Sequence, residues 1–275
     1  MKVKRGQLGS ASLKPRSEKL SGVYEVCSVR KALDLLAAFS LHDPEWSLSA
    51  LARKLKLPKS TAHNLLRTLQ SFDLVHQDRD RRAYRLGPRA LELGLAFAQS
   101  SEVLSQARPI LRQLAEVTRE TVKLGVLSND QVLIIAAVES THQLHTRGDI
   151  GTRWPLHSTS LGKAILSALP RDEARQIVQR RGMPKFTGRT LSSWARLSGE
   201  LESIRSMRYA VDLEENECGV RCVAAPMVDG LRGSVTAISV SGPRVRLEDD
   251  RLAQLAQQVV AAAKRLGSYP TSEAS

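Results

Sequence analysis

Along residues 47–86 apolar positions recur first at helical spacing and then at strand spacing. Leu48, Leu51, Ala52 and Leu55 predict one short helix, with Ser47 or Ser49 available as N-cap. A tight turn at Lys56-Leu57 leads to Pro58, which can open a second helix without losing a hydrogen bond, because the first N–H groups of a helix have no internal partner. In that helix Ala62, Leu65, Leu66, Leu69 and Phe72 form the inner face, and Ser60, Thr61, His63, Asn64, Arg67 and Thr68 point outward. A helical hairpin buried in a core would share this spacing, but the next elements favour another reading. Leu74 to Gln77 and Ala83 to Leu86 predict two strands around the polar turn 78–82, so the helix pair is followed by a basic hairpin. This order of elements is that of a winged helix-turn-helix, whose second helix enters the DNA major groove. Ser60, Thr61, His63, Asn64 and Arg67 are then the candidates to read bases, and Lys59 with Arg79, Arg81, Arg82 and Arg85 the candidates to hold phosphates.

Before this stretch, residues 1–22 carry Lys2, Lys4, Arg5, Lys14, Arg16 and Lys19 and almost nothing to bury, which predicts a disordered basic arm. Val29, Ala32, Leu33, Leu36 and Phe39 give an amphipathic helix ending before Pro44. After Pro88 a helix with a wide apolar stripe (Ala90, Leu91, Leu93, Leu95, Ala96, Phe97) suits a linker between domains or subunits. Another follows from about Val103 to Thr118, with Pro109 marking a break or fresh start. From there the period changes. Strands are predicted at 122–127, 132–138, 209–213, 220–227 and 234–240, with turns at 128–130 and at Asp229-Gly230. Helices are predicted at 160–169, 170–180 and 192–207, and a last one at 247–266 has acidic residues at its start and basic residues at its end. The expected fold class is therefore α+β: a winged helix-turn-helix domain (23–87), a linker helix (88–104), an α/β domain (105–267) and a tail (268–275).

Charge sharpens this division. Of 41 Lys and Arg and 28 Asp and Glu, residues 1–90 hold 18 and 8, leaving the remainder nearly neutral. Only the first third is thus equipped to meet a polyanion. Cys27, Cys218 and Cys222 are too few and too scattered for a disulfide framework, which points to a reducing cytoplasm. They also lack the second ligand pair of a zinc site, so no metal is expected. The longest apolar run, Val132 to Val138, is too short to span a membrane, and no apolar segment suited to a signal peptide follows the basic start. Neither a dinucleotide Gly-rich fingerprint nor a Walker motif is present, and no cofactor is expected.

Polar groups in the second domain gather at three places. His157 to Lys163 opens a helix whose N–H groups and hydroxyls could hold a small anion, although hydroxyls at that position are also ordinary caps. The stretch 209–215 leads to Cys222, and Ser239 and Ser241 share one side of a strand.

Leu57-Pro58-Lys59-Ser60-Thr61-Ala62-His63 with Tyr84-Arg85-Leu86-Gly87 resembles the DNA-binding domain of the IclR family of bacterial transcription regulators. Asp212, Glu215, Cys222 with Val223-Ala224-Ala225, and Ser239-Val240-Ser241-Gly242-Pro243 extend the resemblance to about residue 267. The resemblance implies a GAF-like C-terminal domain that binds a small organic effector, often a carboxylic or sugar acid. Carried over by position, Asp212, Cys222, Ser239 and Ser241 would line its pocket, with Ser160 and Leu161 at one side and the loop from His142 to Thr146 at another. It also implies homodimers through the N-terminal helices, or homotetramers, on double-stranded operator DNA. The sequence departs from the family pattern at Lys56 and Asp73, where glycine is common, at Arg208, at Ser160 and Leu161, and at Asn64, which suits adenine where arginine would prefer guanine. Two other readings stay open: an architectural DNA binder without ligand, and a hydrolase using Cys222 with His157.

Overall fold

The computed structural model describes residues 25–78, 80–231 and 234–267. The arm expected over residues 1–22, the tail over 268–275 and Arg79 lie outside the described residues. The chain divides between Phe97 and Ala98 into two compact units.

The first unit runs α1 (Cys27–Ala37), β1 (Trp46–Ser47), α2 (Leu48–Lys54), α3 (Lys59–Ser71), β2 (Val75–Asp78), β3 (Ala83–Leu86) and most of α4 (Pro88–Ser100). Ser47 caps α2, its Oγ accepting from the Ala50 N–H at 3.2 Å. The turn is closed by Lys56, whose φ of 53° is left-handed, and by the Leu57 N–H donating to Ala52 O at 2.8 Å. Leu35, Leu51 and Leu66 are fully buried with Val75 and Tyr84 in one core. Each such leucine stabilises the unit by about 1.5–3 kcal/mol. Phe72 departs from its expected place on the inner face: it ends α3 beyond the last helical turn and is 67% exposed. The sheet order is β1-β3-β2, with Trp46 opposite Tyr84 and Gln77 opposite Tyr84 on the other edge. β1 has only two residues and so carries no alternation by which a sequence could announce it.

The second unit contains α5 (Glu102–Thr118), β4 (Thr121–Ser128), β5 (Gln131–Val138), β6 (Arg153–Trp154), α6 (Ser160–Ser167), α7 (Arg171–Arg181), α8 (Trp194–Met207), β7 (Ala210–Leu213), β8 (Val220–Leu231), β9 (Ser234–Pro243) and α9 (Asp249–Leu266). The helix expected as one linker over 88–104 ends at Ser100, and Ser101 caps α5. Pro109 lies inside α5 and does not break it. Leu104, Ala107, Leu111 and Leu114 bury one stripe on both sides of the proline, and that packing offsets the lost backbone hydrogen bond.

All pairings in the sheet β6-β5-β4-β9-β8-β7 are antiparallel. The β4–β5 hairpin turns through Asn129 and Asp130, both with left-handed φ (51° and 58°), the backbone that matches strand twist in a two-residue turn. The turn expected at Asp229-Gly230 is not there. β8 continues through both residues to Leu231, which pairs with Ser234, and a register shift between Met227 and Leu231 takes up the irregularity.

Side chains alternate across this sheet. Val122, Leu124, Val223, Ala225, Ile238 and Val240 face α5 and α9. Ala210, Ala224 and Ala237 face the opposite way and are covered by α6 and α8. The ends of β7, β8 and β9 that carry Asp212, Cys222 and Ser241 are polar on that face.

Candidate functional site

Two sites emerge, one on each unit. On the first, Lys59, Ser60, His63, Asn64 and Arg67 are exposed along α3 and Thr61 is half-buried, while Ala62, Leu66 and Leu69 anchor the opposite side. Among the described residues none of these six polar side chains makes a hydrogen bond or ion pair, so the row is available to a partner. The wing arginines differ from one another. Arg85 forms an ion pair with Glu45 at 2.7 Å and lies 3.6 Å from Asp78, so it is held within the unit. Arg81 sits 3.9 Å from the same Glu45. Arg82 is exposed in the tip, where Asp78 Oδ1 accepts from the N–H groups of Asp80 and Arg81.

On the second unit, strand register brings the expected residues together. Cys222 is opposite Asp212 on one side and Ser241 on the other, and Ser241 is opposite Thr121. One row thus crosses four strands on one face. In the next row Ser239 lies between Ala224 and Lys123. Directly opposed residues of antiparallel strands have Cβ atoms about 4.5–5.5 Å apart, so these side chains form one cluster. Asp212, Ser239 and Ser241 are buried.

The electrostatics of the cluster follow from burial. Asp212 is pushed up to about 7, first by burial, while the Glu215 N–H donating to its Oδ1 at 2.7 Å pulls the other way. Burial, with the Asp212 charge nearby, pushes the Cys222 thiol up to about 12, so it is a neutral thiol that shares a hydrogen bond with Ser241. His157 is not brought to it. Its Nε2 is engaged with Pro184 O at 3.0 Å, and its ring stacks on Phe186 with centroids 5.8 Å apart. Behind Asp212, Lys163 is wholly buried and donates to Glu215 at 2.5 Å and to Glu200 at 3.1 Å.

Ser160 and Leu161 are buried at the start of α6, which Thr159 caps by accepting from the Gly162 N–H at 3.0 Å. Gly162 is required there: a Cβ would lie 2.4 Å from the Leu156 backbone. The loop 139–152 covers the other side. Thr121 Oγ1 donates to Thr146 O at 2.6 Å, and Gly148 lies so near Ala137 that a Cβ would come within 2.7 Å of that side chain. Arg246, paired with Glu120, also donates to Leu144 O and ties this loop down. Sequence reasoning missed Lys123 and Thr121. Their signal was their odd-numbered phase on β4, shared with the serines only once the β4–β9 register is known. Among the described residues no group of three or more His, Cys, Asp or Glu is arranged to hold a metal ion, and no helix is long and apolar enough to cross a membrane.

Comparison with known proteins finds matches over both units. The IclR helix-turn-helix domain matches residues 28–79, and the C-terminal domain of bacterial IclR transcriptional regulators matches residues 95–268. The chain is 36% identical over 273 residues to the HTH-type transcriptional regulator BhcR of Paracoccus denitrificans, covering 98% of this chain and 95% of that one. It is 34% identical over 255 residues to the transcriptional repressor IclR of Escherichia coli, covering 92% and 93%. A crystal structure of an IclR transcriptional regulator from Silicibacter sp. TM1040 superposes with a TM-score of 0.81 at 27% identity, covering 88% of this chain and 98% of that one. The same fold recurs, at 22% identity and a TM-score of 0.71, in an IclR homolog from Microbacterium hydrocarbonoxydans complexed with 4-hydroxybenzoate, covering 87% and 98%. With family domains matched over both units and relatives aligned over nearly their whole length, the chain belongs to the IclR family of bacterial transcriptional regulators.

Proposed function

We propose that this regulator reads an operator through Ser60, Thr61, His63, Asn64 and Arg67 of α3, with Lys59 and the wing arginines on phosphates, and that a small organic acid bound at the second site changes its operator affinity. The observation that carries the DNA half is the row of exposed, unengaged polar side chains on α3 beside a basic wing. Among the described wing arginines Arg82 is the freest to reach a phosphate, because Arg81 and Arg85 are drawn toward Glu45 and Asp78.

The effector half rests on the buried row Asp212, Cys222 and Ser241, with Ser239 beside it and Ser160 and Leu161 at its edge. A purely architectural domain would have no use for polar groups gathered under a tied-down loop, since buried polar groups cost stability unless paired. The Cys222 hydrolase reading is disfavoured on the same geometry: its thiol is held neutral, and His157 is engaged elsewhere. A non-enzymatic cytoplasmic regulator, acting as a homodimer or homotetramer on a two-fold symmetric operator, is the reading that accommodates these features. The exposed apolar residues Val29 and Leu33 of α1 and Leu91 and Leu95 of α4 support self-association. The names of the relatives that are repressors favour repression as the direction.

A ligand that binds only the folded state raises the melting temperature. Screening the purified chain against carboxylic, aromatic and sugar acids should therefore give a hit that also shifts operator affinity in a gel-shift titration. A compound that raised the melting temperature without altering operator affinity would refute the sensor assignment.

A further inference from the structure

Lys123 was absent from the residues expected at the second site, and among the described residues it is a cation there without a hydrogen-bond or ion-pair partner. This inference rests on reading that site as an effector pocket. Lys123 stands on β4 opposite Ser239 of β9 and opposite Ala137 of β5, so its side chain leaves the sheet on the face that carries Asp212, Cys222, Ser239 and Ser241. Among the described residues its ammonium makes neither a hydrogen bond nor an ion pair. Its Nζ lies 5.7 Å from the centre of the Trp154 ring. Burial holds it below the ordinary lysine value, and the carboxylates of Asp149, Glu217 and Glu139 oppose that shift without any of them coming into ion-pair contact.

Two neighbouring cations of this unit already have ion-pair partners. Lys163 is held by Glu200 and Glu215, and Arg221 by Asp249 and the Leu247 carbonyl. The start of α6 is capped by Thr159. Ser239 presents the second unsatisfied group: it is wholly buried, and its Oγ has no hydrogen-bond partner among the described residues. A buried hydroxyl and a half-buried cation without hydrogen-bond or ion-pair partners are each costly, and the cost falls on the ligand-free state. They face each other across one strand pair, and a carboxylate has an oxygen for each.

We propose that Lys123 and Ser239 together anchor the carboxylate of the effector, Lys123 by charge and Ser239 by donating its hydroxyl, with Trp154 walling the carbon skeleton beside it. The far end of the ligand then meets Asp212, Cys222 and Ser241, where hydroxyl or keto groups can be read. A neutral sugar or amide of the same shape is refused.

The test uses the full chain and three probe pairs: acetate with acetamide, pyruvate with pyruvamide, and benzoate with benzamide, followed by thermal shift and calorimetry. At least one acid should stabilise the wild type where its amide does not. Lys123→Met should weaken that acid roughly tenfold or more, as expected for a lost charge-assisted contact, while Lys123→Arg retains most of the affinity and Ser239→Ala weakens it several-fold. Without ligand, Lys123→Met should melt at or above the wild type, because it removes an unpaired cation; this separates a binding role from a structural one. Equal acid binding by wild type and Lys123→Met would overturn the anchor and leave the sensor reading standing. Equal binding of an acid and its amide would also overturn it. If neither acids nor amides bound the wild type, the sensor reading would fall and the anchor with it.

Discussion

Lys163 Nζ lies 2.5 Å from Glu215 Oε1, and the N–H of that same Glu215 donates to Asp212 Oδ1 at 2.7 Å. The buried ion pair is therefore linked through the Glu215 backbone to the Asp212 carboxylate of the proposed effector site. Thr187 and Thr190 donate to the Glu215 carbonyl, so the segment carrying Glu214 and Glu215 is held from both sides. Removing one partner of a buried ion pair leaves the other charge uncompensated, which typically costs about 3–5 kcal/mol. Lys163→Met should lower the urea midpoint by a corresponding amount. Changing Lys163 and Glu215 together to apolar residues should recover part of the loss. A single substitution without effect on the midpoint would mean that the pair contributes no net stability.

Asp212 gives the second prediction, in which the sign matters. Its folded value is raised to about 7 from an ordinary carboxylate value of 3.8. Between those values the folded state binds more protons than the unfolded state, so this group's contribution to stability falls as pH rises from about 4 to about 7. The Asp212→Asn variant lacks the titration and keeps an oxygen for the Glu215 N–H. Its stability relative to wild type should increase across that window by an amount on the order of a few kcal/mol, read from denaturation curves at several pH values. A pH-independent difference would place the proton elsewhere.

Two backbone positions frame α3. Lys56 turns the chain from α2 into α3 with a left-handed φ of 53°, and Asp73 leaves α3 with 55°. A non-glycine residue in this region costs roughly 1–2 kcal/mol, with Asp more tolerant than Lys. Lys56→Gly should therefore raise the melting temperature, by an amount equivalent to about 1 kcal/mol after the extra entropy of the unfolded chain is counted. Gly87 behaves in the opposite way. A Cβ there would stand 2.1 Å from the Asp73 carbonyl oxygen, so Gly87→Ala should destabilise the winged unit, and a melting temperature no lower than wild type would refute the contact.

These cases show what was legible in the sequence. Helical spacing on α3 was readable because Ala62, Leu66 and Leu69 are buried by one small core and nothing interrupts the period. Phe72 fitted the same period and is exposed, because α3 ends before it and the last turn no longer faces the core. Asp212, Cys222, Ser239 and Ser241 were singled out through family resemblance and the alternation of side chains along a strand. Lys123 and Thr121 were not, since their membership of the cluster depends on which strand lies beside β9, a long-range pairing that local pattern does not encode. Pro109 misled for a related reason: the penalty is local, whereas the buried stripe of α5 that overrides it is tertiary. The wing arginines looked equivalent in sequence. Glu45, more than thirty residues earlier, is what sets Arg85 and Arg81 apart from Arg82.

The outward row on α3 carries the central claim, that this surface reads DNA. The most direct measurement is selection of duplexes from a random pool by the full chain, followed by titration of the enriched sequence with wild type and with the Asn64→Ala, Arg67→Ala double variant. Both side chains are exposed and make no side-chain hydrogen bond or ion pair among the described residues, so fold and self-association should be unaffected. Lost bidentate base contacts are worth about 1–3 kcal/mol each, so affinity for the selected duplex should fall by tenfold or more while weak, salt-sensitive binding to unrelated DNA persists. Equal affinity of the two proteins for that duplex would contradict the assignment of α3 as the recognition helix.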